Sequence, residues 1–313
     1  MELLMDVVLH AGRSAIELSL FVLLPVMVVM LALMRLLEAK GVLDALVSAL
    51  APILKPFGLT GLGVFAALQI SFVSFAAPVA TLAMMENRGT SDRHLAATLA
   101  MVLAMAQANT VFPLLAMGLH GGPVLAWAGA GGLVAAAVTY WGTGRGLSVE
   151  EHLADDMPHH AHPADGPKGV LDVINRAGAE AFKIAIGAIP MLVLSLVVVT
   201  LLQRLGAIDW ATGRVAPLLA ALSIERAYVL PTITKYLAGG TAMLGVVDDM
   251  LRGGQLNAAM MNAGAGFLIH PLDVPGVAVL LSAGRRVAGV WKPAALGAVA
   301  GIAVRMAGHG LLP

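Results

Sequence analysis

The chain has 313 residues, of which 59% are hydrophobic and 12% are charged, with a formal net charge of zero. Soluble domains carry roughly 25% charged residues, so the sequence lacks the polar side chains that would cover a soluble core of this size. Zero net charge gives no argument for nucleic-acid binding, and the absence of cysteine excludes disulfides and thiolate metal sites. We therefore expect a multi-pass protein of the cell membrane, in a bacterium the inner membrane, with lipid as its surroundings.

The first half of the chain divides into five apolar segments. In chain order they are a long span at 14–37, a short proline-containing piece at 43–58, an interrupted span at 60–85, a fourth span at 94–118 and a glycine- and alanine-rich fifth at 122–142. About 20 apolar residues cover a hydrocarbon core roughly 30 Å thick, so the long segments are predicted to cross the membrane. The short piece is left open between a span and a re-entrant segment.

The second half repeats this plan after a polar stretch. Its five segments lie at 176–203, 208–223, 225–247, 255–283 and 292–310. The predicted organisation is a first membrane repeat at 1–142, a polar, histidine-containing linker at 143–173 and a second repeat at 174–313. Four histidines of the linker, His152, His159, His160 and His162, are attributed to flexible linker composition rather than to a metal site.

Residues 11–54 and 177–219 are similar at an offset of 165 to 166 positions. The matching landmarks are Pro25 with Pro190, Gly41 with Gly206, Asp44 with Asp209, and Ala51-Pro52 with Ala216-Pro217. The predicted fold class is therefore all-α: a polytopic membrane protein of two diverged repeats, each with about five transmembrane or re-entrant segments and with broken helices.

Basic residues indicate that the two repeats are inverted. The turn at 85–94 carries Arg88 and Arg93, whereas the second half has its basic cluster one turn later, at 284–292. By the positive-inside rule, equivalent turns then lie on opposite sides of the membrane. An odd number of crossings per repeat produces this inversion.

Polar residues lie beside prolines or paired glycines at four places, and Pro78, Pro113, Pro231 and Pro271 are predicted to mark helix interruptions. A proline frees a backbone carbonyl, and in lipid each freed group needs a partner. The nearby polar side chains either fill that need themselves or bind a solute. The predicted solute ligands are Gln69, Ser71, Ser74, Gln107, Asn109, Thr110, Thr232, Thr234, Lys235 and Asn262.

Ionisable residues inside a membrane are costly and usually functional. Asp273 and His270 are the candidates for proton or ion coupling, and the alternative for Asp273 is a structural ion pair with Lys235. The glycine- and alanine-rich fifth segments are predicted to pack closely. No P-loop, HExxH or GxSxG motif is present, so we expect no enzymatic activity, no cofactor and no metal site.

The segments QISFVSFAAPVATLAMM, starting at Gln69, and GFLIHPLDVPG, starting at Gly266, resemble the nucleoside-recognition, or Gate-domain, membrane proteins. The overall plan resembles spore maturation proteins A and B joined in one chain. This resemblance implies a secondary transporter of a small polar solute, nucleoside-like or another organic metabolite, coupled to H⁺ or Na⁺. The alternative is a non-transporting membrane scaffold or assembly protein. A homodimer is left open.

The inverted plan predicts that both termini lie outside and the linker inside. Cysteines introduced at Ser148 and near the C-terminus should react with impermeant reagents from opposite sides of the membrane. The chain contains no cysteine of its own, so the labelling is free of background. Labelling of both positions from the same side would contradict the inversion.

Overall fold

The computed structural model describes residues 2–150, 169–207, 210, 213–214 and 225–311. These described residues are helical and include no strand, so the predicted all-α class is confirmed. Most of the predicted linker and most of the short segment at 208–223 lie outside the described residues.

The first repeat contains eight helices. They are α1 (Glu2–Glu17), α2 (Leu24–Ala39), α3 (Val42–Leu54), α4 (Gly61–Phe72), α5 (Pro78–Asn87), α6 (Asp92–Ala104), α7 (Ala108–Ala116) and α8 (Gly121–Val138). A π-helical turn at Leu18–Leu23 joins α1 to α2, directly before Pro25, whose ring nitrogen cannot donate to the preceding turn. The pair therefore forms one long helix with a local irregularity.

The described part of the second repeat follows the same order. Its helices are α9 (Val170–Arg204), α10 (Val229–Ala238), α11 (Gly240–Arg252), α12 (Ala258–Leu268), α13 (Val274–Leu281), α14 (Arg285–Gly289) and α15 (Trp291–Leu311).

The third segment of each repeat is a helical hairpin, not an interrupted span as the sequence predicted. Thr81 Oγ1 donates to Gln69 Oε1 at 2.7 Å, although residues this far apart in a straight helix would be separated by about 18 Å. The chain therefore reverses at 73–77, between α4 and α5. Helices α10 and α11 pack against each other on either side of Gly239 in the same way. Periodicity alone cannot distinguish a kinked span from a hairpin.

Four helices in the described residues are long and apolar enough to cross a membrane. They are Met5–Ala39, Asp92–Ala116, Gly121–Thr143 and Val170–Leu202. A fifth would be counted only if Val42–Phe57 and Gly61–Phe72, which are bent by 107°, formed one span. Three of these helices belong to the first repeat, as its first, fourth and fifth segments, and three is an odd number of crossings. In the described part of the second repeat only Val170–Leu202 meets the same criterion. The inverted topology therefore stays a prediction.

The first helices of the two repeats lie side by side and antiparallel. Contacts along the pair join Asp6 to Arg204, Ser19 to Ala185 and Arg35 to Glu180. The last helices, α8 and α15, are also antiparallel: Gly297 lies against Thr139, Gly301 against Gly131, and Gly308 against Trp127. A Cβ at Gly301 would overlap the carbonyl oxygen of Gly131, so the predicted close packing of the fifth segments is confirmed. Antiparallel pairing of equivalent helices is the arrangement expected of inverted repeats.

Helix α6 lies at the centre of the molecule. All its residues from Leu95 to Ala104 are buried, and α4, α8 and α15 pack around it. A helix that is apolar on every side is expected to be enclosed by protein. Helix α6 ends at Ala104, directly before the break that separates it from α7. The packing around α6 therefore fixes the position of that break.

Candidate functional site

The four helix interruptions meet at one cavity of about 320 Å³. They lie at 73–77, at 105–107, at Gly239 and at 269–273. Each interruption contributes to the lining, which includes Ser74, Phe75, Gln107, Asn109, Gly239, Thr241 and Asp273. Helix α9 covers another side with Ile184 and Gly187. The cavity therefore lies between elements of both repeats.

Four helices begin at this cavity, namely α5, α7, α11 and α13. The first turn of a helix has backbone N–H groups without intrahelical partners, and it carries a partial positive charge. The wall of the cavity thus combines these helix N-termini and a few polar side chains with a larger number of apolar residues.

Asn109 connects three of the interruptions through its side-chain amide. Its Oδ1 accepts from Phe75 N at 3.2 Å, and its Nδ2 donates to Thr241 Oγ1 at 3.5 Å. Ser74 Oγ accepts from Ala77 N at 3.2 Å and closes the turn at the tip of the first hairpin. These bonds hold the tips of both hairpins against α7.

Gln107 is the residue that precedes α7, and its side chain is 2% exposed. Its Nε2 donates to Thr110 Oγ1 at 2.9 Å, while the described residues supply no donor to its Oε1. A Cβ at Gly240 would overlap the Gln107 amide. Only glycine at position 240 therefore leaves room for the Gln107 side chain. The preceding Gly239 has a φ of 90°, a conformation that favours glycine. Gln107 is therefore a buried amide on the cavity wall whose Oε1 receives no hydrogen bond from the described residues.

Asp273 caps α13 and pairs with Lys235. Its Oδ1 accepts from Gly276 N at 2.7 Å, and its Oδ2 lies 3.3 Å from Lys235 Nζ. The geometry required for the structural ion pair is present, and so is the position on the cavity wall required for a role in coupling. Lys235 itself is fully buried.

His270 lies behind Asp273 and is also fully buried. Its Nδ1 is 3.0 Å from Lys235 Nζ and accepts from Leu272 N at 3.2 Å. A ring nitrogen that receives two donors carries no proton, so the proton resides on Nε2. That nitrogen lies 3.5 Å from the Tyr236 hydroxyl.

Of the predicted site residues, Ser74, Gln107, Asn109 and Asp273 line the cavity. Gln69 instead lines a separate cavity of about 300 Å³ beside α2 and α9. Asn262 accepts from His120 N and donates to Gly118 O and Ala258 O.

The remaining predicted hydroxyl side chains do not line the cavity. Thr234 donates to Leu230 O, Thr110 holds Gln107, Ser71 is buried in α4, and Thr232 is half-buried in α10. Sequence reasoning missed Thr241, which directly follows the paired glycines. A solute-binding role for any of these residues stays a prediction.

The prediction that four prolines mark helix interruptions is right for Pro78 and Pro271, which lie at interruptions. It is wrong for Pro113 and Pro231, which lie inside α7 and α10. The breaks nearest these two prolines are made by 105–107 and by Gly239. Pro231 is the third residue of α10, where a backbone N–H has no intrahelical partner in any case. Pro113 is the sixth residue of α7, so the helix continues through it even though the N–H that would bind the Asn109 carbonyl is missing.

Arg305 on α15 is the buried charge that sequence reasoning missed. It is fully buried, and its guanidinium donates to the carbonyl oxygens of Ala104 (2.5 Å), Ile269 (2.7 Å) and Ala265 (3.3 Å). These carbonyls belong to the C-terminal ends of α6 and α12, and each such end carries a partial charge of about −0.5. The positive charge of Arg305 thus compensates the partial negative charges of two helix ends. Its signal in the sequence is a single charge within the apolar run 293–308.

Comparisons with known proteins agree with this geometry. Residues 20–121, from the turn after α1 to the start of α8, match the family model described as Gate, nucleoside recognition. The resemblance to the Gate family is confirmed. This Gate segment contains the first hairpin and the broken helix α6–α7, which supply half of the cavity. A search of curated proteins finds no match.

Solved structures of the transporter CNTnw share the fold. A substrate-bound, inward-facing structure aligns with a TM-score of 0.67 at 15% identity, covering 99% of this chain and 83% of CNTnw. An outward-facing variant aligns with a TM-score of 0.69 at 16% identity, covering 92% and 75% of the two chains. The protein therefore has the fold of a multi-pass membrane transporter.

Replacing Arg305 with methionine should lower the free energy of unfolding by roughly 3 kcal/mol or more, because buried hydrogen bonds to a charged group are lost and carbonyls remain unpaired. The matched control is Arg285→Met, since Arg285 is exposed. Thermal unfolding of the purified variants in detergent measures the difference. Equal unfolding temperatures for the two variants would contradict the role given to Arg305.

Proposed function

We propose that this protein is a secondary transporter that carries a small, polar, nucleoside-like solute across the cell membrane. The observation that carries the proposal is the meeting of four helix interruptions, two from each repeat, at one cavity whose largely apolar wall includes Gln107, Asn109 and Thr241. Secondary transporters built from inverted repeats place their solute sites at such broken helices, where unwound backbone is available to the solute.

The size and chemistry of the cavity support an uncharged organic solute. Its volume of about 320 Å³ is at the lower end of the range of roughly 300–1,000 Å³ found for small-molecule sites. Asp273 is paired with Lys235, so the side chains at the wall bring no net charge from this pair. Gln107, Asn109 and the helix N-termini offer the donors and acceptors that a nucleobase and its sugar hydroxyls would use.

The comparisons support the same solute class. The Gate family is described by nucleoside recognition, and CNTnw was solved in a substrate-bound state. A nucleoside is therefore the first solute to test, and another organic metabolite of similar size is the second.

Coupling to H⁺ or Na⁺ is part of the proposal, with Asp273 and His270 as its candidates. Both are bonded to Lys235 in the structure, so an ion that binds there must compete with or displace the lysine. Uptake driven by a sodium gradient or by a pH gradient, each imposed alone, distinguishes the two ions.

The alternative function is a membrane scaffold. A scaffold has no use for a cavity, and its interrupted helices should be closely packed and dry. The presence of an open volume at the meeting point of the interruptions favours transport.

We expect purified protein in liposomes to accumulate a labelled nucleoside such as uridine. Gln107→Ala should raise the KM for uptake about tenfold, because the solute loses a buried amide partner worth roughly 1–1.5 kcal/mol. The measurement is the initial rate of uptake as a function of solute concentration.

Asn87→Ala is the matched control, because it removes a side-chain amide that is exposed at the end of α5. This variant should transport like the unchanged protein. Transport would be contradicted if neither nucleosides nor similar metabolites enter liposomes faster than they enter empty ones. Unchanged uptake by Gln107→Ala would place the solute elsewhere.

A further inference from the structure

Lys235 joins the second hairpin to the fourth interruption. Its ammonium nitrogen lies 3.0 Å from His270 Nδ1, 3.1 Å from Leu272 O and 3.3 Å from Asp273 Oδ2. All three acceptors belong to the short stretch 270–273, whereas Lys235 comes from α10. The nitrogen also lies 4.3 Å from the centre of the Tyr236 ring, a distance at which an aromatic face attracts a cation.

The surroundings of the nitrogen are those of a bound cation. A lysine ammonium has three N–H donors and no acceptor, and here it meets one ring nitrogen, one carbonyl and one carboxylate. His270 Nδ1 also accepts from Leu272 N, so it has no proton to offer to the lysine. Each partner is therefore an acceptor, and the charge of Asp273 is balanced within the site.

The first repeat has no counterpart of this arrangement. The first hairpin, Gly61–Asn87, contains no lysine, arginine or histidine. Its two helices are joined instead by the hydrogen bond from Thr81 to Gln69. The first hairpin is thus held by uncharged contacts, whereas the second is held by a charge.

We propose that the ammonium of Lys235 is a resident cation: it occupies a cation-binding site formed by His270, the Leu272 carbonyl and Asp273, and so holds the second hairpin in place without an ion from solution. Removal of the lysine side chain turns this position into a binding site for a small primary ammonium ion. This inference replaces one part of the proposed function: with Lys235 in their site, Asp273 and His270 do not bind a coupling ion. The inference does not depend on transport, since it is tested by ligand binding to the folded protein in detergent.

The test uses Lys235→Ala, which removes three methylene groups and the ammonium. This variant should unfold at a temperature roughly 10 °C lower than the unchanged protein, because one partner of a buried ion pair is left alone. The n-propylammonium ion replaces the missing atoms. It should raise the unfolding temperature progressively with concentration, as expected for a ligand of the native state. Tetramethylammonium has the charge but no N–H donor, and it should give no such rise.

Two control variants accompany this measurement. Lys40→Ala removes an exposed lysine and should neither unfold earlier nor respond to the amine. Lys235→Met fills the space without a charge and should not respond to the amine either. The proposal is overturned if n-propylammonium stabilises Lys235→Ala no more than tetramethylammonium does.

A second comparison applies if Lys235→Ala cannot be purified. Asp273→Asn leaves the lysine without its carboxylate, while the double variant Asp273→Asn with Lys235→Met has no unpaired charge. The double variant should be the more stable of the two, and the reverse order would overturn the proposal. A sodium-dependent stabilisation of the unchanged protein that Asp273→Asn abolishes would also overturn it, because Asp273 would then bind an ion in the presence of the lysine.

Discussion

Every backbone N–H and C=O group inside a lipid bilayer must find a partner within the protein. An interrupted helix exposes several such groups at each of its broken ends, so a single interruption surrounded by lipid is unfavourable. When several interruptions lie together, polar groups at one can form hydrogen bonds with the unpaired groups at another. Asn109 does so from α7, where its amide bonds to the tip of the first hairpin and to the start of α11. The cavity is the space that this arrangement leaves.

Two buried cations complete the arrangement, and they act on opposite kinds of helix end. Arg305 faces the C-terminal ends of α6 and α12, whose carbonyls carry partial negative charge. Lys235 pairs with Asp273, which caps the N-terminal end of α13. The N-terminal ends of α5, α7, α11 and α13 are left facing the cavity. Arg305 thus compensates the partial charge of two helix ends, and Lys235 balances the carboxylate that caps a third.

The sequence was sufficient to predict the all-α class, the four regions of interruption and, as one of two alternatives for Asp273, its pairing with Lys235. These features depend on composition, on spacing and on the cost of a lone charge in lipid. It was not sufficient to predict the hairpins, because the reversal between Gln69 and Thr81 leaves the apolar pattern unchanged. It was also not sufficient to predict the contacts of Asn262 with Gly118 and His120, or those of Arg305 with two helix ends, because these partners lie in distant parts of the chain.

The most direct test of the central claim is a structure determined in a lipid nanodisc with saturating uridine. The account predicts solute density in the cavity between Gln107, Asn109, Thr241 and Asp273, with contacts to both repeats. A uridine-bound structure with the solute at another place, or interruptions packed against each other with no space between them, would contradict it.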